Sequence, residues 1–153
     1  MIAPEIVPLT EELKRLRQHI TVETAGTVFA PVACDLMSIS PKLSNSTPAE
    51  QDGGRWAGQH EKLRIQPDIL RRLLRAYPYQ LKFVVSSSED MREIQLLLGE
   101  LQADASRVLL MPEGTNAAVL RERGRWLVDI CKKEGFRFTP RLHIDLFGCR
   151  RGV

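Results

Sequence analysis

Gln80-Leu81-Lys82-Phe83-Val84-Val85-Ser86-Ser87-Ser88-Glu89-Asp90-Met91 is the stretch on which the fold turns. Its first six residues are β-prone and run into three serines, the pattern of a strand giving way to a helix start. Ser88 is placed to cap that helix, with Glu89 and Asp90 in a first turn where carboxylates suit the helix dipole. Met91, Ile94, Leu98 and Leu101 then share one helical face, and Arg107 to Met111 reads as the next strand. A strand, a helix and a strand in that order form a β-α-β unit, since a parallel return needs a crossover.

The alternation continues outward. Pro67, at a helix N1 position, starts a helix through Ile69, Leu70, Leu73 and Leu74. Two shorter strands precede it, Ile20 to Glu23 closed by Ala25-Gly26, and Cys34 to Ile39 ending at Ser40-Pro41-Lys42. In front of them Leu9, Leu13, Leu16 and Ile20 recur at helical spacing, with Thr10 as N-cap and Glu11 and Glu12 in the first turn. On the other side, Thr115 to Glu134 predicts a long helix stopped by Gly135, and Leu142 to Leu146 predicts the last strand. The polar run Leu43 to Gln66, with Ser44, Asn45, Ser46, Pro48, Gly53 and Gly54, is too long for a routine connection and reads as an insert or lid loop.

Residues 1–153 are therefore expected to form a single, partial domain of α/β class, five parallel strands with helices, as an open doubly wound sheet or an arc of a barrel. The chain opens on a helix that ought to follow a strand, and a complete eight-stranded barrel takes about 250 residues. It reads as entering partway through a larger repeat, with sheet edges that need covering.

The 153 residues suffice for one core. With 43% apolar and 27% charged residues and no apolar run near the roughly 18 residues of a span, the composition is neither that of a disordered nor of a membrane-embedded chain. The net charge is +3, from 22 basic and 19 acidic residues. Its local clusters, Arg71, Arg72, Arg75 and Arg121, Arg123, Arg125, fall on amphipathic helices as solvated faces, so nucleic acid is not an expected partner. Cys34, Cys131 and Cys149 are far apart and form neither a disulfide framework nor a CxxC metal site. No signal segment is legible before Thr10, where Pro4 and Pro8 interrupt the chain, and a reducing cytoplasm fits best.

Parallel α/β sheets build sites at strand ends, where loops and helix N-termini present N–H groups. Four ends carry suggestive residues. Glu23-Thr24-Ala25-Gly26-Thr27 offers a hydroxyl and a close-approach glycine, or an ordinary turn. Ser40-Pro41-Lys42 offers a hydroxyl and an ammonium for a carboxylate or ribose, or simply a proline that stops the ladder. Met111-Pro112-Glu113-Gly114 could set Met111 against an apolar ligand and Glu113 on hydroxyls or an amine, or be a tight loop with a solvated carboxylate. His143, in Thr139-Pro140-Arg141-Leu142-His143-Ile144, would sit in a strand as a core or a catalytic histidine, and Asp145 would face the opposite side from it. No Walker sequence, GxGxxG, HExxH or GxSxG is present, which disfavours nucleoside triphosphatases, dinucleotide dehydrogenases, zincins and elbow-type hydrolases.

In this order and at these strand ends, the segments resemble the C-terminal half of the 7-carboxy-7-deazaguanine synthase family, radical S-adenosylmethionine enzymes of queuosine and deazapurine biosynthesis. The strings that carry the resemblance are Val22-Glu23-Thr24-Ala25-Gly26-Thr27, Ser40-Pro41-Lys42-Leu43, Gln80-Leu81-Lys82-Phe83-Val84-Val85, Leu109-Leu110-Met111-Pro112-Glu113-Gly114, and Arg137-Phe138-Thr139-Pro140-Arg141-Leu142-His143-Ile144 through Arg151-Gly152-Val153. The resemblance implies the C-terminal part of an incomplete radical-type barrel. It also implies conversion of 6-carboxy-5,6,7,8-tetrahydropterin to 7-carboxy-7-deazaguanine with loss of ammonia, a carbon–nitrogen lyase reaction. In the family a [4Fe-4S] cluster cleaves S-adenosylmethionine, the deoxyadenosyl radical takes a hydrogen from the substrate, and Mg2+ assists ring contraction. Carried over by position, Thr24, His143 and the terminal carboxylate of Val153 would meet the pterin. Gly26 and Ser40, Pro41 and Lys42 would hold S-adenosylmethionine, with Met111, Pro112, Glu113 and Gly114 lining its other side. A cytoplasmic homodimer served by a reductant such as flavodoxin, with no membrane partner, is implied as well.

The departures are as informative. The family's CxxxCxxC, with its magnesium-binding threonine, and its GGEP segment have no counterpart here. Thiolates hold such clusters, and Cys34, Cys131 and Cys149 lack the spacing; Cys131, near Leu127 and Ile130, reads as a core residue. No metal ligand is assigned to this chain, and alone it is not expected to cleave S-adenosylmethionine. Together with the orphan first helix this reads as a portion of a longer enzyme. The alternatives are a non-redox nucleotide- or pterin-binding module and one half of a split enzyme.

Overall fold

The computed structural model describes residues 4–48 and 56–150. Five strands form one all-parallel sheet, β1 (Thr21–Thr24), β2 (Leu36–Ile39), β3 (Tyr79–Val85), β4 (Val108–Pro112) and β5 (Arg137–Phe138), in the spatial order of the chain. Helices α1 (Ile6–Arg15), α2 (Ala57–Leu63), α3 (Pro67–Ala76), α4 (Asp90–Leu101), α5 (Ala117–Glu134) and α6 (Leu142–Phe147) accompany them. The order never reverses, so the sheet has no topological switch point, and of the two arrangements open at the sequence level it matches the barrel arc. The chain packs as two compact units. One is built on residues up to Lys42 and from Thr47 to Leu81, the other on Leu43–Ser46 and residues from Lys82 onward.

In the first unit, register pairs Thr24 with Ile39 and Ile39 with Leu81. Met37, Ile39 and Leu81 are buried, as are Leu70 and Leu73 of α3, whose Pro67 sits at the first helical position as expected. α1 departs from the sequence reading. It begins at Ile6, because Pro8 falls in a first turn whose N–H groups lack intrahelical partners anyway. Thr10 is therefore not an N-cap. It lies buried in the helix, its hydroxyl donating to the Val7 carbonyl (2.9 Å) and accepting from the Ala33 N–H (3.1 Å). Leu9 and Leu16, two of the four residues at helical spacing, are 53% and 60% exposed. β2 starts at Leu36 rather than Cys34, since Asp35 is used as a stitch that accepts from the Ile20 N–H (2.7 Å) and Lys14 Nζ (2.6 Å). The polar run read as a loop contains a 3-10 turn, Ser44–Ser46, and all of α2; its residues 49–55 lie outside the described residues.

In the second unit, Phe83, Val85, Val108 and Leu110 are fully buried and carry the core. α4 starts at Asp90 after Glu89, not after a Ser88 cap, and it is Leu97 rather than Leu98 that is buried. α5 is capped by Asn116, whose Oδ1 accepts from the Ala118 and Val119 N–H groups, and ends at Gly135 with φ +73°. The predicted strand Leu142 to Leu146 is the helix α6, and the fifth strand is Arg137–Phe138. Leu142, Ile144 and Leu146 would share a face in a strand. In the helix Ile144 alone turns inward, while Leu142 and Leu146 remain exposed. A six-residue run cannot distinguish the two periods, and Pro140 separates it from the ladder, which ends where the Thr139 N–H donates to the Leu110 carbonyl (3.0 Å).

Candidate functional site

The ends of β1 and β2 are tied together by the Ser40 N–H, which donates to the Thr24 carbonyl (2.7 Å). Thr24 turns its hydroxyl into a local turn, accepting from the Gly26 N–H (3.1 Å). It lines a cavity of about 240 Å3 with Ile6, Val22, Val32, Met37 and Leu73, mostly apolar side chains, with Glu23 at its edge. Gly26 has φ +76°, and a Cβ there would stand 2.3 Å from Leu70 Cδ2 and 2.9 Å from Ile39 Cγ2. The close approach requiring glycine is thus to α3 and β2. Pro41 is buried, Ser40 half-buried and Lys42 exposed.

The other face of these strands carries residues that motif reading missed. Register places Glu23 beside Ser38 and Ser38 beside Gln80, a carboxylate, a hydroxyl and an amide in one row across three strands. Ser38 is buried and accepts from Gln80 Nε2 (3.0 Å). Parallel strands are ordinarily apolar on both faces, so an aligned polar row marks a face built for hydrogen bonding. Its signal in the sequence was a lone Ser38 in an otherwise apolar second strand and the Gln80-Leu81-Lys82-Phe83 alternation in the third.

Beyond Lys42, α2 closes a cavity of about 380 Å3 lined by Thr27, Lys42, Trp56, Gln59, His60 and Leu63 among others. Arg64 braces it, donating from Nη1 to the Lys42 carbonyl (3.1 Å) and from Nε to Glu61 (2.7 Å). Thr47 bonds both Glu61 and His60 Nδ1. The Thr47 hydroxyl, then the Arg64 guanidinium, hold the Glu61 carboxyl below its usual range.

In the second unit Met111, Pro112, Glu113 and Gly114 stand at the end of β4, where the Glu113 N–H donates to the Val85 carbonyl (2.8 Å). The Glu113 carboxylate is paired with Arg123, and Gly114, at φ +138°, gives its carbonyl to Arg141 Nη1 (2.7 Å). Arg141 Nε is buried with no hydrogen-bond partner. A cavity of about 620 Å3 opens here, lined by Pro112, Arg121, Arg125, Phe138, Arg141 and Asp145. His143 is exposed on α6, not in a strand. Two residues on in a helix, Asp145 still points away from it, so the pair does not act together, for a different geometric reason than the strand supplied. Val153 lies outside the described residues.

Among the described residues no three His, Cys, Asp or Glu side chains come together to hold a metal ion. Burial pushes the Cys131 thiol up, and burial followed by the Asp35 charge does the same to Cys34. A cluster needs thiolates, and these two sites favour the thiol. No helix among the described residues is long and apolar enough to cross a membrane.

No protein-family model matches the chain. Among curated proteins it is 38% identical to the 7-carboxy-7-deazaguanine synthase of Rhodopirellula baltica over 154 aligned positions, all of this chain and 60% of that protein. It is 41% identical to the enzyme of that name from Halobacterium salinarum, over 96% of this chain and 61% of that one. The protein of the same name from Pyrobaculum aerophilum is 29% identical over 87% of the chain. The chain spans about three fifths of the first two relatives. The resemblance carried by the strand-end segments holds along the sequence: this chain is a relative of the 7-carboxy-7-deazaguanine synthases.

Proposed function

We propose that this chain is the C-terminal portion of a 7-carboxy-7-deazaguanine synthase, a radical S-adenosylmethionine lyase that converts 6-carboxy-5,6,7,8-tetrahydropterin to 7-carboxy-7-deazaguanine with release of ammonia. The observation that carries the reading is the identity of 38% and 41% to two proteins of that name over essentially the whole chain, joined to an unreversed parallel sheet with polar strand ends. Among the described residues no three His, Cys, Asp or Glu side chains gather to hold an iron–sulfur cluster or magnesium, and the proposal is that this chain alone does not start the reaction.

The resemblance assigns S-adenosylmethionine to the ends of β1 and β2, where Gly26 and the Ser40-Pro41-Lys42 bend would hold it, and assigns Met111, Pro112, Glu113 and Gly114 of the second unit to the same cofactor. When bound, the cofactor supplies a hydrogen-abstracting radical. The chain's residues bind and orient: Glu23, Ser38 and Gln80 present a row of acceptors and donors to a flat, hydrogen-bonding ligand. The Thr24 hydroxyl accepts from the Gly26 N–H and keeps its own proton to donate to the pterin, to which the resemblance also assigns His143. A reductant such as flavodoxin and a homodimeric enzyme in the cytoplasm complete the reading.

The test is genetic and chemical. A strain lacking the gene is expected to lose 7-deazaguanine-derived nucleosides from its tRNA and to regain them when supplied with an established synthase. Persistence of those nucleosides in the deletion strain overturns the assignment.

A further inference from the structure

We infer that the cavity bounded by α5, β5 and the start of α6 is a binding site for a nucleoside monophosphate, with Arg121 and Arg125 on the phosphate and Phe138 against the base. In the sequence Arg121, Arg123 and Arg125 read as one solvated face, and the structure divides them. Arg123 turns to Glu113. Arg121 and Arg125, four apart and so on one side of α5, both line the cavity and make no hydrogen bond or ion pair among the described residues. Like charges at that spacing repel and cost the helix stability, which an anion seated between them reverses. Arg141 adds a third guanidinium to the lining. Its Nη1 donates to the Gly114 carbonyl (2.7 Å), which fixes the side chain, while its Nε is buried without a hydrogen-bond partner, a donor the fold leaves unspent.

The remaining lining selects among anions. A Cβ at Gly124 would stand 3.5 Å from Phe138 Cζ, so the ring packs over α5 where the helix has no side chain, and 36% of Phe138 stays exposed. With Val128 and Pro140 it gives the cavity an apolar wall. The volume of about 620 Å3 is that of a small-molecule site, far more than a bare oxyanion fills. Planar guanidinium forks match phosphate oxygens bidentately, and a phosphate monoester has three such oxygens to share among them. Asp129 and Asp145 also line the cavity. Two carboxylates repel a string of phosphates but accept from the hydroxyls of a sugar. One phosphate, a ribose and a flat base therefore match the arginines, the carboxylates and the ring in turn.

The probe is uridine 5′-monophosphate, whose base resembles neither the adenine nor the pterin that the proposed function brings to the strand ends. Uridine, which lacks the phosphate, and inorganic phosphate, which lacks the ring, are the controls, and affinity is read by calorimetry. The expected result is saturable binding of one nucleotide per chain, about ten-fold or more tighter than either control. Arg121→Gln and Arg125→Gln are each expected to weaken it about ten-fold, with a thermal midpoint unchanged or raised because the repulsion within α5 is gone. Phe138→Leu is expected to weaken the nucleotide and leave inorganic phosphate as it was. No saturable binding, a control that binds as tightly as the nucleotide, or an affinity untouched by both arginine variants overturns the inference.

Discussion

Removing the Asp90 carboxylate is expected to loosen the turn that leaves β3. Asp90 is buried, and one oxygen, Oδ2, accepts from the Ser86 N–H (2.7 Å), the Ser87 N–H (3.1 Å), the Ser86 hydroxyl (2.9 Å) and Asn45 Nδ2 (2.8 Å). Asp90→Ala strands two backbone donors that have no rotamer in which to find another partner, while Asn45 and Ser86 can turn to water or to each other. At about 1–3 kcal/mol for a stranded buried donor, and with water reaching part of the loop, the loss is about 3 kcal/mol. For a chain of this size that is a fall of about 6–12 °C in thermal midpoint. Burial pushes this carboxyl up, but the bonds from Ser86, Asn45 and Ser87 outweigh it and leave it below its usual value. A depressed folded value means that the charge stabilises fully above the unfolded value of about 3.9, and that this is lost as pH falls through the folded one. The gap between wild type and Asp90→Ala, measured by urea denaturation, should therefore be constant near neutrality and shrink below about pH 4. Asp90→Asn, which keeps one carbonyl acceptor, should fall between the two and lose the acid dependence. A gap under about 0.5 kcal/mol at pH 7, within the scatter of surface substitutions, would refute the reasoning.

Three further outcomes follow from named contacts. Gly26→Ala should cost about 3 kcal/mol, from a left-handed residue and a Cβ driven into Leu70 and Ile39, and should cost less in a Leu70→Ala background, where the clash is relieved; denaturation midpoints indistinguishable from wild type would remove the packing explanation. Ser38→Ala and Gln80→Met should each cost about 1 kcal/mol and the pair together less than the sum, since either change breaks the same bond; strict additivity in the double-mutant cycle would mean that the bond does not exist in solution. Alkylation of the native protein followed by mass spectrometry should label exposed Cys149 first and buried Cys131, whose thiol burial pushes up, last; equal rates would contradict the burial.

The parallel sheet was legible because its signals are redundant. β4 is an apolar run, β3 buries every second residue at Leu81, Phe83 and Val85, and between them α4 repeats its apolar positions at helical spacing. α5 was legible from its end at Gly135, while its start lies at Ala117 behind an Asn116 cap rather than at Thr115. Where one signal stood alone it failed. Thr10 has the chemistry of a cap, yet Pro8 is harmless in a first turn, so the helix starts earlier and the hydroxyl is buried in its interior. Leu142, Ile144 and Leu146 fit a period of two as well as one turn and a half of helix, and nothing local to the six residues decides between them.

The candidate site was legible only where function and backbone geometry use the same residue. Strand ends are found by reading for glycine, proline and hydroxyls, and Gly26, Pro41 and Gly114 do stand at such ends. The same reading assigns to a ligand what the fold already consumes: Gly26 makes room for Leu70, Thr24 bonds the Gly26 N–H, and Glu113 pairs with Arg123. Residues whose side chains are not required by a turn left no such mark. Glu23, Ser38 and Gln80 become a row only when the register of three strands is known, because they lie 15 and 42 positions apart (38 − 23 and 80 − 38) and share nothing but a face. Trp56, Gln59 and His60 sit in a run whose glycines, serines and prolines suggest a loop, and acquire a common direction only once α2 forms. A substitution at Gly26 therefore acts on stability through Leu70 and Ile39 whatever ligand the strand ends hold, whereas a change at exposed Glu23 touches the polar row without that packing cost.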